Sequence, residues 1–220
     1  MVLAITFSFS VAWPDQEAVN FDRTLAESGT LPALRCPLII TPRDNAVISV
    51  TLTNTHVRDT TLRVRSRIAM GSMSFFREDL QQLALQPDQQ ETLSWPIAIE
   101  DAVYNRMVMA RVYQFRRTPF PARERACGVM VARIDWLTGR QVVALWIVAA
   151  GLALGAGGFL WLRHARPLSV KRRATVQRAA ALLLLVLLSI FAGLLQWSII
   201  ALLLLVMATI VIGSLAEQLR

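Results

Sequence analysis

The chain has 220 residues, of which 55% are hydrophobic, and a formal net charge of +8. Residues 1–136 hold 14 of the 15 acidic residues and 15 of the 23 basic residues, so this part is nearly neutral, whereas residues 137–220 carry eight basic residues and one acid, Glu217. The mean hydropathy of +0.47 is too high for an ordinary soluble domain, and the lack of a basic excess in the first part argues against a nucleic-acid partner.

The N-terminal segment Ile5–Trp13 alternates large apolar residues with small or polar ones. A period of two predicts a half-buried strand. The apolar run over residues 2–12 is also compatible with a residual export signal, although no basic residue precedes it and it is too short to span a bilayer. The strand is the favoured interpretation, and the export signal stays open.

Alternating patterns recur along the rest of the first part. In one of them, Ile48, Val50 and Leu52 share a face, and turn-forming pairs such as Pro87-Asp88 separate the segments. The segment Ser72–Leu85 is predicted to form a short helix. The further predicted strands are Val47–Asn54, Leu62–Ile68, Thr92–Ile99, Arg106–Phe115 and Cys127–Ile134. Six or seven short strands in such a length indicate an antiparallel β-sandwich.

Three segments between residues 35 and 135 carry a resemblance. The order "AVISVTLTN", "TLRVRSRI" and "LQPDQQETLSWPI" resembles the immunoglobulin-like sandwich domains of bacterial surface proteins, of the CARDB type. In those domains a strand ends in Asn, and a Leu-x-Pro turn precedes the next strand. The resemblance implies an extracytoplasmic, immunoglobulin-like fold that acts as a spacer or docking surface, and it implies no catalytic residues.

The two cysteines, Cys36 and Cys127, both lie in the predicted outer domain. An even pair in an oxidising compartment most simply forms one disulfide. A metal-binding or redox-active pair is the alternative, but neither cysteine has a histidine or a second cysteine nearby in sequence.

Residues suited to catalysis are sparse. The two histidines, His56 and His164, are expected on opposite sides of a membrane, which excludes a shared metal site or a Ser/His/Asp triad. The acidic pairs Glu78-Asp79 and Glu100-Asp101 are adjacent in sequence, so that their side chains diverge, and they are interpreted as solvated turns. We therefore expect no enzyme activity, cofactor or metal.

A turn rich in arginine and aromatic residues follows the strand Arg106–Phe115. Arginine and aromatic residues are enriched at the centres of protein interfaces. The residues Arg116, Arg117 and Phe120 are therefore a candidate docking loop, with an ordinary connecting loop as the alternative.

The second part contains two long uncharged stretches. Residues 142–162 match the hydrocarbon thickness as one helix, at about 31 Å. Residues 179–215 are too long for one span and are interrupted by Gly193, Gln196 and Trp197, which predicts a hairpin of two spans near 179–195 and 198–215. The expected fold is thus an all-β immunoglobulin-like sandwich over 1–137, followed by three transmembrane helices over 138–220.

A basic loop is predicted between the first two spans, over residues 163–178. It holds six basic residues and no acid, which indicates a cytoplasmic position and a contact with the bilayer, including anionic lipid. The protein would then be a multi-pass protein of the plasma membrane. Its first domain and the turn between the second and third spans would lie outside, and its C-terminus would lie inside. These basic residues are Arg163, Arg166, Lys171, Arg172, Arg173 and Arg178.

Small residues recur at helical spacing within the predicted spans. Gly151 and Gly155 form a Gly-x-x-x-Gly pair with Gly158 one turn on, and Ser189 and Gly193 repeat the spacing. Small residues four apart share a helix face and allow close approach of another helix. That helix could belong to this chain or to another subunit.

Two classes of function follow. The first is a non-catalytic accessory or structural subunit of a larger membrane protein complex, of the kind that energy-transducing electron-transfer complexes carry. The second is a stand-alone, membrane-anchored extracytoplasmic binding or sensing module.

Overall fold

The structure is a computed structural model that describes residues 2–21, 29–31, 34–118, 120–164, 170–194 and 197–219; for residues 2–4, 154, 158, 160–164, 170–179, 198 and 213–219 it describes the backbone alone. The chain divides into two compact units. The β unit comprises Pro14–Arg140, and the helical unit comprises Met1–Trp13 and Gln141–Arg220.

The β unit contains the nine strands of the described residues in two sheets. The strands are β1 (Gly29–Thr30), β2 (Leu34–Arg35), β3 (Ile39–Ile40), β4 (Ala46–Thr53), β5 (Thr60–Met70), β6 (Ser72–Leu85), β7 (Gln90–Ile97), β8 (Met107–Gln114) and β9 (Arg123–Val131). The large sheet has the order β1-β9-β8-β5-β6, with β3 also paired to β9, and the small sheet has the order β2-β4-β7. A 3-10 turn, Ile99–Asp101, follows β7.

One hydrophobic core lies between the two sheets. Ile48 and Val50 of β4 and Val64 of β5 are fully buried there, with Val108 of β8 and Val129 of β9. Because these residues alternate with exposed or half-buried neighbours in β4 and β5, each strand buries one face, as the sequence pattern predicts.

A helix covers the opposite face of the large sheet. This helix, α1 (Val2–Asn20), begins in the helical unit, and its residues 14–20 belong to the β unit. Ala18 and the following Phe21 pack with Met109, Val103 and Ala69 in a second buried cluster. The β unit therefore has three layers: a helix, the large sheet and the small sheet.

The helical unit contains residues 2–13 of α1 together with α2 (Gly139–His164), α3 (Val170–Leu194) and α4 (Ser198–Leu219). One cluster joins the four helices through Ala150, Leu182, Val186 and Ala208, with Ile5 packed against it. A second cluster contains Ala12, Ala192 and Ala201. The small size of these alanines lets the helices approach closely.

The predicted fold class is wrong in two respects. The large sheet is mixed rather than antiparallel, since β1 and β3 run parallel to β9, and a helix packs on it. Of the described helices, only α2, over Gly139–Gly157, is long and apolar enough to cross a membrane. The apolar parts of α3 and α4, Ala180–Leu194 and Ile199–Ile212, measure only about 22 and 21 Å at 1.5 Å per residue.

Two local predictions are also wrong. Ile5–Trp13 is helical: the buried residues Phe7 and Val11, and likewise Ser8 and Ala12, are four apart and lie on one helix face. The segment predicted as a short helix, Ser72–Leu85, is the longest strand, because its whole length except a bulge pairs with β5.

Candidate functional site

The two cysteines form a disulfide, as predicted. Cys36 lies between β2 and β3, and Cys127 lies in β9, with a Cα–Cα distance of 6.6 Å. Cys127 is buried in the core between the sheets, and Cys36 packs against that core. The bond therefore fixes the short N-terminal strands of the β unit to the centre of the large sheet.

The candidate docking loop is only partly available to a partner. Arg116 and Arg117 are exposed, but Phe120 is buried in the core between the sheets. The Arg117 N–H donates to the Phe120 carbonyl at 3.0 Å, so residues 117 and 120 are held close together. Phe120 also lines a pocket of about 480 Å³ together with Leu31, Leu52 and Arg123.

A row of arginines on the outer face of the large sheet was not singled out from the sequence. The Arg65 guanidinium lies 5.7 Å from the Tyr113 ring centroid and 5.5 Å from that of Phe115. Arg63 lies 5.8 Å from the Phe115 ring, and Arg67 lies 4.5 Å from the Phe76 ring. The alternation of arginine with apolar residues in "TLRVRSRI" signals this face, but the aromatic partners come from other strands. We call it the arginine–aromatic face.

Contacts with aromatic rings hold these arginines in a defined orientation. Each guanidinium is attracted to the face of a ring and holds its donors in a fixed plane. Arg67 also forms an ion pair with Glu78 at 2.7 Å, which lies across from it in β6. Arg63 is exposed and Arg65 is half-buried, so an anionic or aromatic group of another molecule could reach both.

Polar contacts fix the C-terminal end of α1 to the large sheet. The buried Arg111 of β8 donates to the carbonyls of Phe21, at 2.8 Å, and Val19, at 3.4 Å. Its guanidinium lies 3.6 Å from the Glu124 carboxylate. A cation at the C-terminal carbonyls of a helix is favourable because those groups have no partner within the helix.

A close approach joins the middle of α1 to β9. The Gly128 N–H donates to the Asp15 carboxylate at 3.1 Å, and a Cβ on Gly128 would overlap the Pro14 carbonyl. Burial raises the pKa of Asp15 above its ordinary value, while the Gly128 hydrogen bond and the charge of Arg125 act in the opposite direction. Only glycine fits at position 128.

The predicted helix-packing residues fall into two groups. Gly151 and Gly155 of α2 are exposed, and a Cβ added to either would meet no atom within 4 Å. Ser189 of α3 is fully buried and donates to the Ala201 carbonyl of α4 at 3.2 Å, and Gly193 is buried one turn on. The surroundings of Gly158 lie outside what the structure describes.

Most of the predicted basic loop is helical. Arg163 lies in α2, and the basic residues from position 171 to 178 lie in α3. Their side chains, and Arg166 as a whole, lie outside the described part of the chain. The basic residues in α3 are Lys171, Arg172, Arg173 and Arg178. Within the residues that are described, no three His, Cys, Asp or Glu side chains are grouped as metal ligands.

No family model matches the sequence, and no curated protein matches it either. Among solved structures, the CARDB domain of a Pyrococcus furiosus protein, in complex with di-metal ions, is 13% identical over 51% of this chain and 98% of that domain, with a TM-score of 0.34. A Listeria innocua β-glucosidase in complex with glucose is 14% identical over 46% of this chain, with a TM-score of 0.32, and the match spans 15% of that enzyme. The resemblance to CARDB domains is thus weak and concerns the fold alone.

Proposed function

We propose that this chain is a non-catalytic accessory subunit of a larger membrane protein complex, such as an energy-transducing electron-transfer complex. Helix α2 crosses the plasma membrane, and the β unit lies on its outer side. The subunit acts by assembly, with α2 contacting helices of partner subunits.

The exposed apolar side chains of the helical unit carry this proposal. On α2, Leu152 is 69% exposed and Phe159 is 62% exposed, and Leu145 and Val148 are also exposed. Large contiguous apolar surfaces are rare on soluble monomers and mark contacts with lipid or protein. The helix is long enough to match a hydrocarbon layer.

The glycine face of α2 supports contact with a partner helix in particular. Gly151 and Gly155 have open space beside them, so another backbone could approach closely at that point. Close packing is a main driving force for helix association in a bilayer. Lipid tails are as apolar as the side chains, so the side chains gain no hydrophobic free energy by moving from lipid into a helix contact.

Two features support the orientation. A disulfide is typical of an oxidising compartment and so supports an outer position of the β unit. The basic residues that follow α2 favour the cytoplasmic side for its other end. A label at Gln89 should therefore react from outside intact cells, and a label at Arg172 only after the cells are lysed.

Replacement of Gly151 and Gly155 by leucine tests the assembly. The double variant keeps the helix apolar but blocks close approach, so the protein should stay in the membrane and dissociate from its complex on a native gel. The matched control is Ala149→Leu with Ala153→Leu, which adds bulk at the same spacing on the opposite face, since successive residues turn by about 100°. Continued co-migration of the glycine variant would contradict a role for this face.

The alternative is a stand-alone binding module, and the arginine–aromatic face favours it. Paired replacement of Arg63 and Arg65 by glutamine would then abolish ligand capture while leaving the mass on a native gel at that of one chain. In an accessory subunit, the same pair of changes should leave the mass of the complex unchanged.

A further inference from the structure

An exposed apolar tip ends the β5–β6 hairpin. Ala69 pairs with Phe76 and Met70 pairs with Ser72, so residues 73–75 bulge out of the ladder. Gly71, with a φ of +68°, makes the turn, a conformation that glycine adopts without strain. Phe75 is 70% exposed, and Met70 and Met73 are exposed beside it. We call Met70–Phe76 the hairpin tip.

Two more aromatic residues lie at the same end of the β unit. Tyr104, which is 66% exposed, donates its N–H to the Gly71 carbonyl at 3.4 Å, so its loop adjoins the hairpin tip. The end of β5, the start of β8 and the end of β9 lie side by side at this end of the large sheet, because β5 and β9 both pair with β8 in antiparallel fashion. Trp136 follows β9 and is 71% exposed.

The chain leaves the β unit from this same end. The Gly139 N–H at the start of α2 donates to the Asp44 carboxylate at 2.7 Å, and Thr41 donates to the Leu137 carbonyl at 2.8 Å. Thr41 directly follows β3, which pairs with the last residues of β9. Only residues 132–138 separate β9 from α2, a connection that spans at most about 25 Å when fully extended.

We propose that this end of the β unit contacts the bilayer surface, with Phe75, Met73, Tyr104 and Trp136 inserted at the level of the lipid headgroups. The proposal rests on the proposed function, in which α2 crosses the membrane. Because the connection is short, the end of the sheets that carries these residues is tethered to the point where the chain enters the bilayer.

The chemistry of the residues fits this occupant. Tryptophan and tyrosine concentrate at membrane interfaces, where an apolar ring and a polar atom are both satisfied. Phenylalanine and methionine add apolar area, which strengthens interfacial binding in proportion to the area buried. Val57 provides a control position because it is also exposed, at 84%, but lies far from the hairpin tip. It is in the loop before β5, at the other end of an 11-residue strand that is about 37 Å long.

Fluorescence quenching in lipid tests the proposal. The full chain, with its disulfide intact, is reconstituted into phosphatidylcholine vesicles whose acyl chains are brominated near the headgroup. An environment-sensitive dye is attached to one introduced cysteine in each variant: Phe75→Cys, Val57→Cys or Leu152→Cys. The dye at position 75 should lose much of its emission relative to unbrominated vesicles, and the dye at position 57 should lose none.

The dye at position 152 separates the two proposals. Quenching at 152 by lipid brominated deep in the chains, without quenching at 75, would overturn the hairpin-tip proposal and leave the proposed function standing. A lack of quenching at both positions would overturn both. A dye at 75 that is shielded from water but not quenched would identify a protein as the occupant and would also overturn the proposal. A dye at Met73→Cys should repeat the result and exclude a local effect of the Phe75 substitution.

Discussion

The two units of this chain differ in how far their large apolar side chains are buried. In the β unit, large apolar residues such as Ile48, Val64 and Met109 are buried between or beneath the sheets. In the helical unit, alanines and a few larger residues fill the contacts, while Leu152, Leu203 and many others point outward. Most large apolar residues of the β unit are therefore buried within it, apart from exposed ones such as Phe75 and Trp136, whereas the helical unit leaves much of its apolar surface uncovered.

The two units also differ in the interactions that stabilise each of them internally. The β unit has a disulfide, a buried arginine on helix carbonyls and a glycine in close contact with a helix. The residues that form the described contacts of the helical unit are mostly apolar, and many of them are alanines. Specific changes to covalent or polar groups should therefore act on the stability of the β unit, and changes to surface polarity should act on the placement of the helical unit.

Removal of the disulfide should have the largest effect on stability. The bond closes a loop across a sequence separation of 91 residues, which is worth roughly 4 to 5 kcal/mol in the chain-entropy treatment. Replacement of Cys36 and Cys127 by serine should lower the free energy of unfolding of the β unit by about that amount. Chemical denaturation of the wild type with and without reductant provides the control, since the reduced wild type should match the variant.

A charge near the middle of α2 should have the next largest effect, on membrane insertion rather than on folding. Leu152→Arg should cost about 2.5 to 3.5 kcal/mol of insertion free energy and reduce the protein retained in membranes after alkaline extraction. Val57→Arg places the same charge on an exposed residue of the β unit and should change little. Equal retention of both variants would remove the distinction between the units.

A methyl group at the contact between α1 and β9 should have a smaller effect. Gly128→Ala forces α1 away from β9 because the Cβ overlaps the Pro14 carbonyl, and it should lower the free energy of unfolding by about 1 to 3 kcal/mol. Gly29→Ala is the control, since a Cβ there meets only ordinary contacts. Similar thermal unfolding of the two variants would show that α1 does not pack as described.

The pH dependence of stability should show the smallest effect, through Asp15. The pKa of Asp15 is raised in the folded protein, so protonation of its carboxyl group favours the folded state. This stabilisation is fully present below the ordinary pKa of 3.8 and is lost as pH rises through the raised pKa. Asp15→Asn keeps a side-chain oxygen for the Gly128 N–H and should unfold at a slightly higher temperature than the wild type at neutral pH. The two proteins should converge in acid, and a constant difference at every pH would assign the effect to another cause.

The sequence predicted the parts of this fold in which each strand buries one face. The alternation of Ile48, Val50 and Leu52 marks β4 because a core covers only one side of it. The disulfide was also accessible, although its cysteines are 91 residues apart, because a chain with two cysteines allows only one pairing. The division of the last apolar stretch between α3 and α4 was accessible because polar residues, Gln196 and Trp197, interrupt it in the sequence.

The errors arise where one local pattern fits two structures. In α1, Ser8 and Ser10 give the appearance of alternation, yet Ser8 is buried on the same helix face as Ala12. In β6, both faces of an edge strand are largely exposed, so its sequence shows no alternation. Arg111 and Gly128 could not be recognised because their partners lie about 90 and 113 residues away in the sequence.

The native mass of the wild-type protein tests the account most directly. Membranes solubilised in mild detergent should yield this chain within a particle much larger than its own 24.5 kDa, together with other membrane subunits that can be identified by mass spectrometry. Migration of the wild type alone, at the mass of one chain in every mild detergent tried, would contradict the accessory-subunit account and favour the stand-alone binding module.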